Sequence, residues 1–589
     1  MEDKKTALAL FLCFIIVVFY SEMFLAPEAR KQAEIKIAQQ KNESELKSNI
    51  EDNAVVSAAQ QQKHLSVPTE VGDSSSRDSL NTQAPKANTP TAENYLNADS
   101  LIIDTGVAKF NLSLLGARVK SLKLRDHKLT LNSKELYDLV SVTGDEPLPL
   151  GVYSGNANDN FTVYTISKTN GDIQKIGNSF NLIANNTGEI ELTGKLSDGT
   201  ELKKIFTFTG ESYYFAVEVI VSNPGANKND IWLEWNEHLT DEAIHDRLDP
   251  KNFSILESDN SIEKILVNDK KLNSETFTDF SGNWSALGGK YFMTAIVPAI
   301  SGKNILVGKL NNNFIARVRG TNSGGKFFVY SGPKITDKLK DAGLQLERSI
   351  DLGWFSVLAH PLLWLVKFFY GIFGNYGLAI IVLTLFIKIA FLPLTKVQFE
   401  SMRAMQALQP EIKALRERIK DPNQLNQEMM ALYKKRGVNP MGGCIPMMIQ
   451  LPVFLGLYNA LLNYVALRHA PFALWINDLS APERLEIFGV GVPVMIIIMG
   501  ISMIIQQWTS SVSVDPAQKK AMMMVPVVFT VMFIIFPFPS GLVLYWLVNN
   551  IISIIQQTIL KAERKISPLN ATLVASVVIF SVGYILTLI

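Results

Sequence analysis

Seven stretches of the chain run for close to twenty residues with hardly a charge: Thr6 to Ala26, Gly377 to Leu394, Cys444 to Val465, Ile487 to Ile505, Ala521 to Phe538, Leu542 to Leu560 and Ala571 to Ile589. An α-helix rises ~1.5 Å per residue, so about 20 apolar residues cross the ~30 Å hydrocarbon layer of a bilayer. Each stretch therefore predicts a transmembrane helix. Lys4 and Lys5 precede the first one, as they would in a secretion leader. A cut after Ala26 would leave Phe24 at the −3 position and a cut after Ser21 would leave Phe19 there, so a retained anchor is the better reading.

Between the first and second stretches the pattern changes twice. From Glu28 to about Asn97 the chain is Gln-, Lys-, Ser-, Asn- and Thr-rich, and Tyr95 is its only aromatic residue. Such a segment buries too little apolar surface to offset the entropy of ordering, which predicts a flexible tether. From Asp99 onward, short alternating or β-branched runs appear between turn residues: Phe161 to Ile166, Glu189 to Thr193, Lys204 to Thr209, Tyr213 to Ser222, Ile231 to Trp235, Phe314 to Arg319 and Phe327 to Tyr330. Asp198-Gly199 and Asn223-Pro224-Gly225 are turn signals among them, and together they predict a large antiparallel β-sandwich. The acidic cluster Glu234, Glu237, Asp241, Glu242 and Asp246 lacks the regular ligand loop of a calcium site and reads as a solvated face.

Charge gives these blocks an orientation. The 589 residues carry a formal net charge of only +1, but the part up to residue 352 sums to −7 and the remainder to +8. Nine of the basic residues lie between Lys396 and Arg436; Lys519 and Lys520 mark a second basic loop, and Lys561, Arg564 and Lys565 a third. Lys and Arg collect in short cytoplasmic loops, so the N-terminus is expected inside, residues 28–350 exported and, if 571–589 spans, the C-terminus outside. Both cysteines, Cys13 and Cys444, sit in apolar runs, and the six histidines are scattered. Neither a disulfide scaffold, a metal site nor a cofactor is expected.

The expected architecture is a polytopic α-helical membrane protein with an exported all-β sandwich domain. An N-terminal transmembrane anchor (1–27) leads through a polar linker (28–97) to the sandwich (98–350). An interfacial amphipathic helix (351–376), with Trp364, Phe368, Phe369 and the single cation Lys367, precedes a five-helix core (377–565) containing a cytosolic helical hairpin (396–438). An additional apolar segment (566–589) closes the chain.

Lys388 is the informative residue of the core. It lies in Ile380 to Pro393, about one turn inside the predicted cytosolic boundary. Lysine at a helix centre costs roughly 2.5 to 3.5 kcal/mol on insertion scales, so such residues usually face a cavity or partner. Two readings fit the position: snorkelling to the headgroups, or a polar groove open to the cytosol. Thr384 one turn away, Gln450 in the third span, and the i, i+4, i+7 stripe Asn549, Ser553 and Gln556 on the sixth favour the groove. A stripe of this kind also serves interhelical hydrogen bonding that only holds a bundle together.

In the first cytosolic loop, Met402, Met405, Leu408, Ile412, Leu415 and Ile419 recur at helical spacing. Asp421-Pro422 then supplies a cap, and Leu425, Met429 and Leu432 continue a second helix beside Met430. Lys434, Lys435 and Arg436 precede Gly437, as suits a helix C-terminus. Fourteen of the 17 methionines fall between Met402 and Met532, a composition suited both to helix packing and to transient capture of varied apolar segments.

Four motifs bring the chain close to a known family: Val329-Tyr-Ser-Gly-Pro-Lys334, Asn439-Pro-Met-Gly-Gly-Cys-Ile-Pro446, Ala470-Pro-Phe-Ala-Leu-Trp-Ile-Asn-Asp-Leu479 and Pro539-Ser-Gly-Leu-Val-Leu-Tyr-Trp546. In this order the sequence resembles the YidC-type membrane protein insertases of Gram-negative bacteria along nearly its whole length. The resemblance implies insertion and assisted folding of nascent membrane proteins at the inner membrane, alone or beside the Sec translocon, with a translating ribosome as a further partner. It implies no cofactor, no enzymatic step and no DNA binding. It matches Lys388 to a groove cation that is typically Arg, Thr384 to a contact position on the second helix, and Trp546, beside Tyr545, to a substrate-contact Tyr. Relatives often end in a basic cytosolic tail, whereas here another apolar segment follows Lys565. A secondary transporter and a structural membrane scaffold are the competing classes; paired inverted halves, expected of the former, are not apparent in the sequence.

Overall fold

The computed structural model describes residues 90–588 apart from 141–146, 156, 183, 197, 224–228, 247, 273–276, 300–302, 311, 420, 439–444, 511–515, 537 and 563–565. The predicted anchor, most of the predicted tether and Pro224-Gly225 of the predicted turn lie outside the described residues.

Residues 100–333 fold into a six-stranded and a fourteen-stranded sheet that share one hydrophobic core. Strand Glu201–Thr209 shows how the sequence builds them, since Leu202, Lys204, Phe206 and Phe208 are buried while their neighbours are more exposed. Its hairpin with Thr187–Lys195 closes at Asp198, whose carboxylate accepts from the Thr200 N–H at 2.9 Å, and at Gly199, with φ +86°. The sheets meet at Phe110, whose ring lies 5.1 Å from Phe208 and 5.2 Å from Phe215.

Three details of the exported part depart from the pattern-based expectation. The strand expected at Phe161 to Ile166 begins at Thr165. Tyr164 is instead drawn into the core, where its hydroxyl donates to Asp159 at 3.3 Å, while Val163 makes an isolated bridge to Leu115. The end of the expected tether is a helix, Ala92–Asn97, closed by a capping box between Thr91 and Asn94, and Tyr95 is fully buried. One aromatic ring was enough to recruit this polar segment to the domain. Glu234 is no part of a solvated face: it is completely buried, accepting from Arg317 Nε at 2.7 Å and from the Tyr153 hydroxyl at 3.3 Å.

The sandwich also holds a buried ionic cluster. Asp159 receives Arg118 Nη2 at 2.9 Å and Lys204 Nζ at 2.6 Å, with all three side chains fully buried. Lys204 donates further to the carbonyls of Gly116 at 2.8 Å and Leu150 at 2.7 Å. Burial lowers the Lys204 ammonium to about 8 against the opposing pull of Asp159.

Among the described residues from Ser356 onward there are ten α-helices: α1 (Ser356–Phe373), α2 (Tyr376–Ala390), α3 (Leu392–Ala407), α4 (Gln409–Arg418), α5 (Pro422–Lys435), α6 (Ile445–Leu462), α7 (Val494–Ser510), α8 (Pro516–Ile535), α9 (Ser540–Ala562) and α10 (Pro568–Leu588). By length and composition α1, α9 and α10 suffice to cross a membrane, as does the bent pair α2–α3; the apolar parts of α6, α7 and α8 are shorter. Gly374, at φ +67°, ends α1, and the Asn375 side chain caps α2 by accepting from the Leu378 N–H at 3.0 Å. The α2–α3 axis bends by 63°, with Pro393 in the first turn of α3. α9 is central, packing on α2, α7 and α10, and α10 also packs on α2. A Cβ at Gly583 would lie 2.8 Å from Ile381, so the absence of a side chain there lets α10 close on α2.

The apolar run expected to span from Ile487 begins otherwise. Leu485–Ile487 pairs with Val490–Val492 as a two-stranded hairpin, and helix α7 starts only at Val494. The break coincides with Gly489, Gly491 and Pro493, which favour a turn over a continued helix.

Candidate functional site

Lys388 stands two residues before the end of α2, on the side of that helix turned to α9. Its Nζ donates to Ser553 Oγ at 2.8 Å, and Ser553 Oγ in turn donates to the Asn549 carbonyl one turn earlier at 2.9 Å. From α6, Gln450 Nε2 donates to Asn549 Oδ1 at 3.0 Å and to the Tyr545 hydroxyl at 3.4 Å. Three helices thus bring Lys388, Gln450, Tyr545, Asn549 and Ser553 into one polar cluster walled by apolar side chains. Among the described residues no carboxylate pairs with Lys388.

The other predicted residues have partners outside this cluster. Thr384 is buried, and its hydroxyl donates to the Ile380 carbonyl of its own helix at 2.7 Å. Trp546 faces an aromatic set, with its ring 4.6 Å from Phe454 and 5.6 Å from Phe533. Gln556 continues the stripe in spacing, but its long side chain turns to α10 and donates to Thr572 Oγ1 at 2.6 Å. Here the bundle-holding alternative describes the contact.

Two further polar residues of α9 went unrecognised. Asn550 Nδ2 donates to Ser502 Oγ at 3.0 Å, and Gln557 Oε1 accepts from the Thr509 hydroxyl at 2.8 Å. Their i, i+7 spacing is a second stripe, visible in the doublets Asn549-Asn550 and Gln556-Gln557. One stripe looks mainly to α2 and α6, the other to α7.

Beyond the bend, α3, α4 and α5 form the segment expected to be a hairpin at 396–438. Its first helix starts at Leu392, and a break at Leu408 divides the first arm in two. Asp421 accepts from the Asn423 N–H at 3.1 Å at the start of α5, and Gly437, at φ +65°, follows its end. Met402, Met405 and Met429 are half-buried, whereas Met430, Lys434, Lys435 and Arg436 are exposed. Arg436 reaches Glu411 at 2.7 Å, and Arg403 donates to the Leu560 carbonyl at 2.8 Å, tying α3 to α9.

The sandwich meets the helical half through the loop between α6 and α7. Arg468 donates to the carbonyls of Lys128 and Leu129, both at 2.8 Å, and lies over the rings of Tyr137 and Phe292. His127 stacks edge-on against Phe292, with centroids 5.1 Å apart; burial, with the Arg468 cation beside it, lowers its imidazole to about 4. Further along the loop, Glu483 is buried and accepts from the N–H groups of Val494 at 3.2 Å and Met495 at 3.1 Å, capping α7.

A β-sandwich joined to an apolar bundle with a cation held among amides and hydroxyls defines a multi-pass membrane protein that offers polar contacts inside its helical half. Residues 368–567 match the 60Kd inner membrane protein family, and residues 100–365 match the YidC periplasmic domain. The membrane protein insertase YidC of Geotalea uraniireducens (strain Rf4) is 33% identical over 586 residues, covering 94% of this chain and 98% of that relative. The membrane protein insertase YidC of Geobacter sulfurreducens is 40% identical over 372 residues, covering 61% of this chain and 68% of that relative. A solved structure of an active YidC insertase with its first transmembrane domain resolved aligns at TM-score 0.35 and 18% identity, covering 80% of this chain and 94% of that one.

The chain belongs to the YidC family of membrane protein insertases. It is a multi-pass protein of the inner membrane and an insertase, not an enzyme.

Proposed function

We propose that the cluster of Lys388, Gln450, Tyr545, Asn549 and Ser553, with Thr384 and Trp546 nearby, is the hydrophilic groove through which this insertase admits the polar flank of a nascent segment. The observation that carries the reading is that Lys388 has a hydroxyl partner and no acidic one among the described residues, so its charge is available to a passing carboxylate. A cation kept only for architecture would be expected to have an acidic partner. α2 has 15 residues, or about 22 Å of helix, against ~30 Å of hydrocarbon, which shortens the apolar path at this wall.

In this scheme the segment α3–α5 stands in the cytosol and captures an apolar stretch on Met402, Met405, Met429 and Met430, while Lys434, Lys435 and Arg436 face the lipid headgroups. The groove hydrates the polar flank part-way across, and the apolar stretch then passes into lipid, where burial at roughly 25 cal/mol per Å² drives completion. No covalent step is needed. The working division of the chain is an anchor at 1–27, a linker at 28–97, a periplasmic sandwich at 98–350, an interfacial helix at 351–376, the core at 377–565 and an added span at 566–589. The N-terminus is then cytoplasmic and the C-terminus periplasmic. The Sec translocon and the translating ribosome are the partners proposed for this work.

The test is site-specific photocrosslinking from positions 384, 388 and 546 to a stalled nascent membrane protein. Adducts at all three are expected; adducts at none would remove this cluster from the substrate path.

The second α9 stripe has a different role. The pairs Asn550–Ser502 and Gln557–Thr509 hold α7 to α9, as Gln556–Thr572, from the end of the first stripe, holds α10.

A further inference from the structure

The hairpin between α6 and α7 differs from the turns of the sandwich. Sandwich hairpins turn on polar residues, such as Asp198-Gly199 and Asp259-Asn260. This one turns on Phe488 and Gly489, at φ +52° and +78°, and the Phe488 side chain is fully exposed. Two positive φ values in a two-residue loop fit a type I′ turn, whose first central position favours Asn, Asp or Gly. A phenylalanine there is in a strained conformation, and strain of this kind is kept where a side chain has work to do.

Its surroundings indicate what that work is. Ile487 and Val490 flank the turn and are also exposed, and the chain carries no charged residue from Ile487 through Ile505. Charge sits instead at the base, on Arg484 and Glu486, with the Arg484 side chain lying along Gly491. The hairpin thus grades from charged base to apolar tip. Its backbone groups pair with each other in the register Leu485↔Val492 and Ile487↔Val490, which reduces the cost of taking strand backbone out of water.

Position completes the argument. The second strand runs through Pro493 into α7, whose Ile497, Ile498, Ile501 and Ile505 are exposed as a lipid-facing stripe. The same loop touches the sandwich through Arg468, so the hairpin lies on the membrane face that carries the sandwich. From Val494 back to Phe488 is six residues, at most about 20 Å of extended chain, so the tip stays near that membrane face.

We propose that Ile487, Phe488 and Val490 insert into the lipid headgroup and upper acyl region on the sandwich side, making the hairpin a lipid anchor for the outer end of α7. Together with the Glu483 cap, the anchor fixes the outer end of α7. The occupant is lipid, since the apolar tip is continuous with an apolar helix face that lipid must cover.

The full-length chain, with Cys13→Ser and Cys444→Ser, would carry a single nitrobenzoxadiazole label at Phe488→Cys or, separately, at Val490→Cys, and be reconstituted into phosphatidylglycerol–phosphatidylethanolamine vesicles. Doxyl-labelled lipids should quench both labels at least threefold more than a label at Asp259→Cys in the sandwich, and to a degree approaching one at Val577→Cys on the exposed face of α10. Labels quenched like Asp259→Cys, by aqueous iodide and not by lipid, would overturn the proposal. Protection from both quenchers would overturn it equally, by revealing a protein cover.

Discussion

The sandwich buries a lysine, the membrane core half-buries one, and they treat it in opposite ways. Lys204 sits 2.6 Å from Asp159, shares that carboxylate with Arg118, and spends its remaining hydrogens on two carbonyls. Lys388 has the Ser553 hydroxyl at 2.8 Å and no acidic partner among the described residues. Taking a charge out of water is costly, and a fold that needs only architecture offsets the cost with an opposite charge and full hydrogen bonding. The sandwich does so for Lys204. The core leaves one cation without a counter-charge, in a cluster of amides and hydroxyls that suits a polar visitor. On the proposed function, the same residue type is a structural rivet in one half of the molecule and an open contact in the other.

Removing the shared anion should break this contrast most severely. Asp159→Ala leaves two buried cations facing each other and is expected to cost roughly 3–5 kcal/mol, read as a lowered midpoint for loss of the sandwich in denaturant-dependent proteolysis of the detergent-solubilised protein. A smaller loss is expected in the core from Gly583→Val, which drives a branched side chain into Ile381; overpacking of this kind costs about 1–3 kcal/mol. It should raise protease access to α10 while leaving the sandwich midpoint unchanged.

The joint between the halves should respond to pH. The folded His127 pKa, about 4, lies below the ordinary histidine value, so the folded state prefers the neutral ring. The stability this provides is present above about pH 6.5 and is lost as pH falls toward 4. Hydrogen exchange at strand Arg118–Lys128 should accelerate across that window, and His127→Phe should flatten the response. Smallest of all, Asn550→Leu removes one interhelical bond to Ser502 and should cost about 0.6 kcal/mol, visible as a slight fall in thermal midpoint.

Much of this organisation was legible in the sequence because periodicity is a direct consequence of burial. The strand at Glu201–Thr209 and the apolar helices α2, α9 and α10 follow from period and length alone. Lys388 drew attention because a charge in an apolar run is costly wherever the helix points. Other features were illegible for stated physical reasons. Apolarity does not distinguish a helix from a lipid-compatible hairpin, so Ile487 to Pro493 read as part of a span. Spacing puts Gln556 on the groove stripe, but a side chain with three rotatable bonds chose Thr572 on a helix whose docking position no periodicity encodes. Glu234 read as solvated because its counter-ion, Arg317, is more than eighty residues away in sequence and adjacent only through strand pairing. Tyr95 read as part of a tether because a single ring has no period.

The central claim is that the charge on Lys388 is left without a counter-ion so that it can act on substrate. The direct measurement is insertion into proteoliposomes of two matched substrates, identical except for an acidic or a neutral exported tail, by the native protein and by Lys388→Arg, Lys388→Met and Lys388→Glu. The account predicts that Lys388→Arg keeps both activities, that Lys388→Met lowers insertion of the acidic-tailed substrate by about tenfold, equivalent to ~1.4 kcal/mol, while sparing the neutral one, and that Lys388→Glu lowers it further. Equal insertion of both substrates by all four proteins would contradict it.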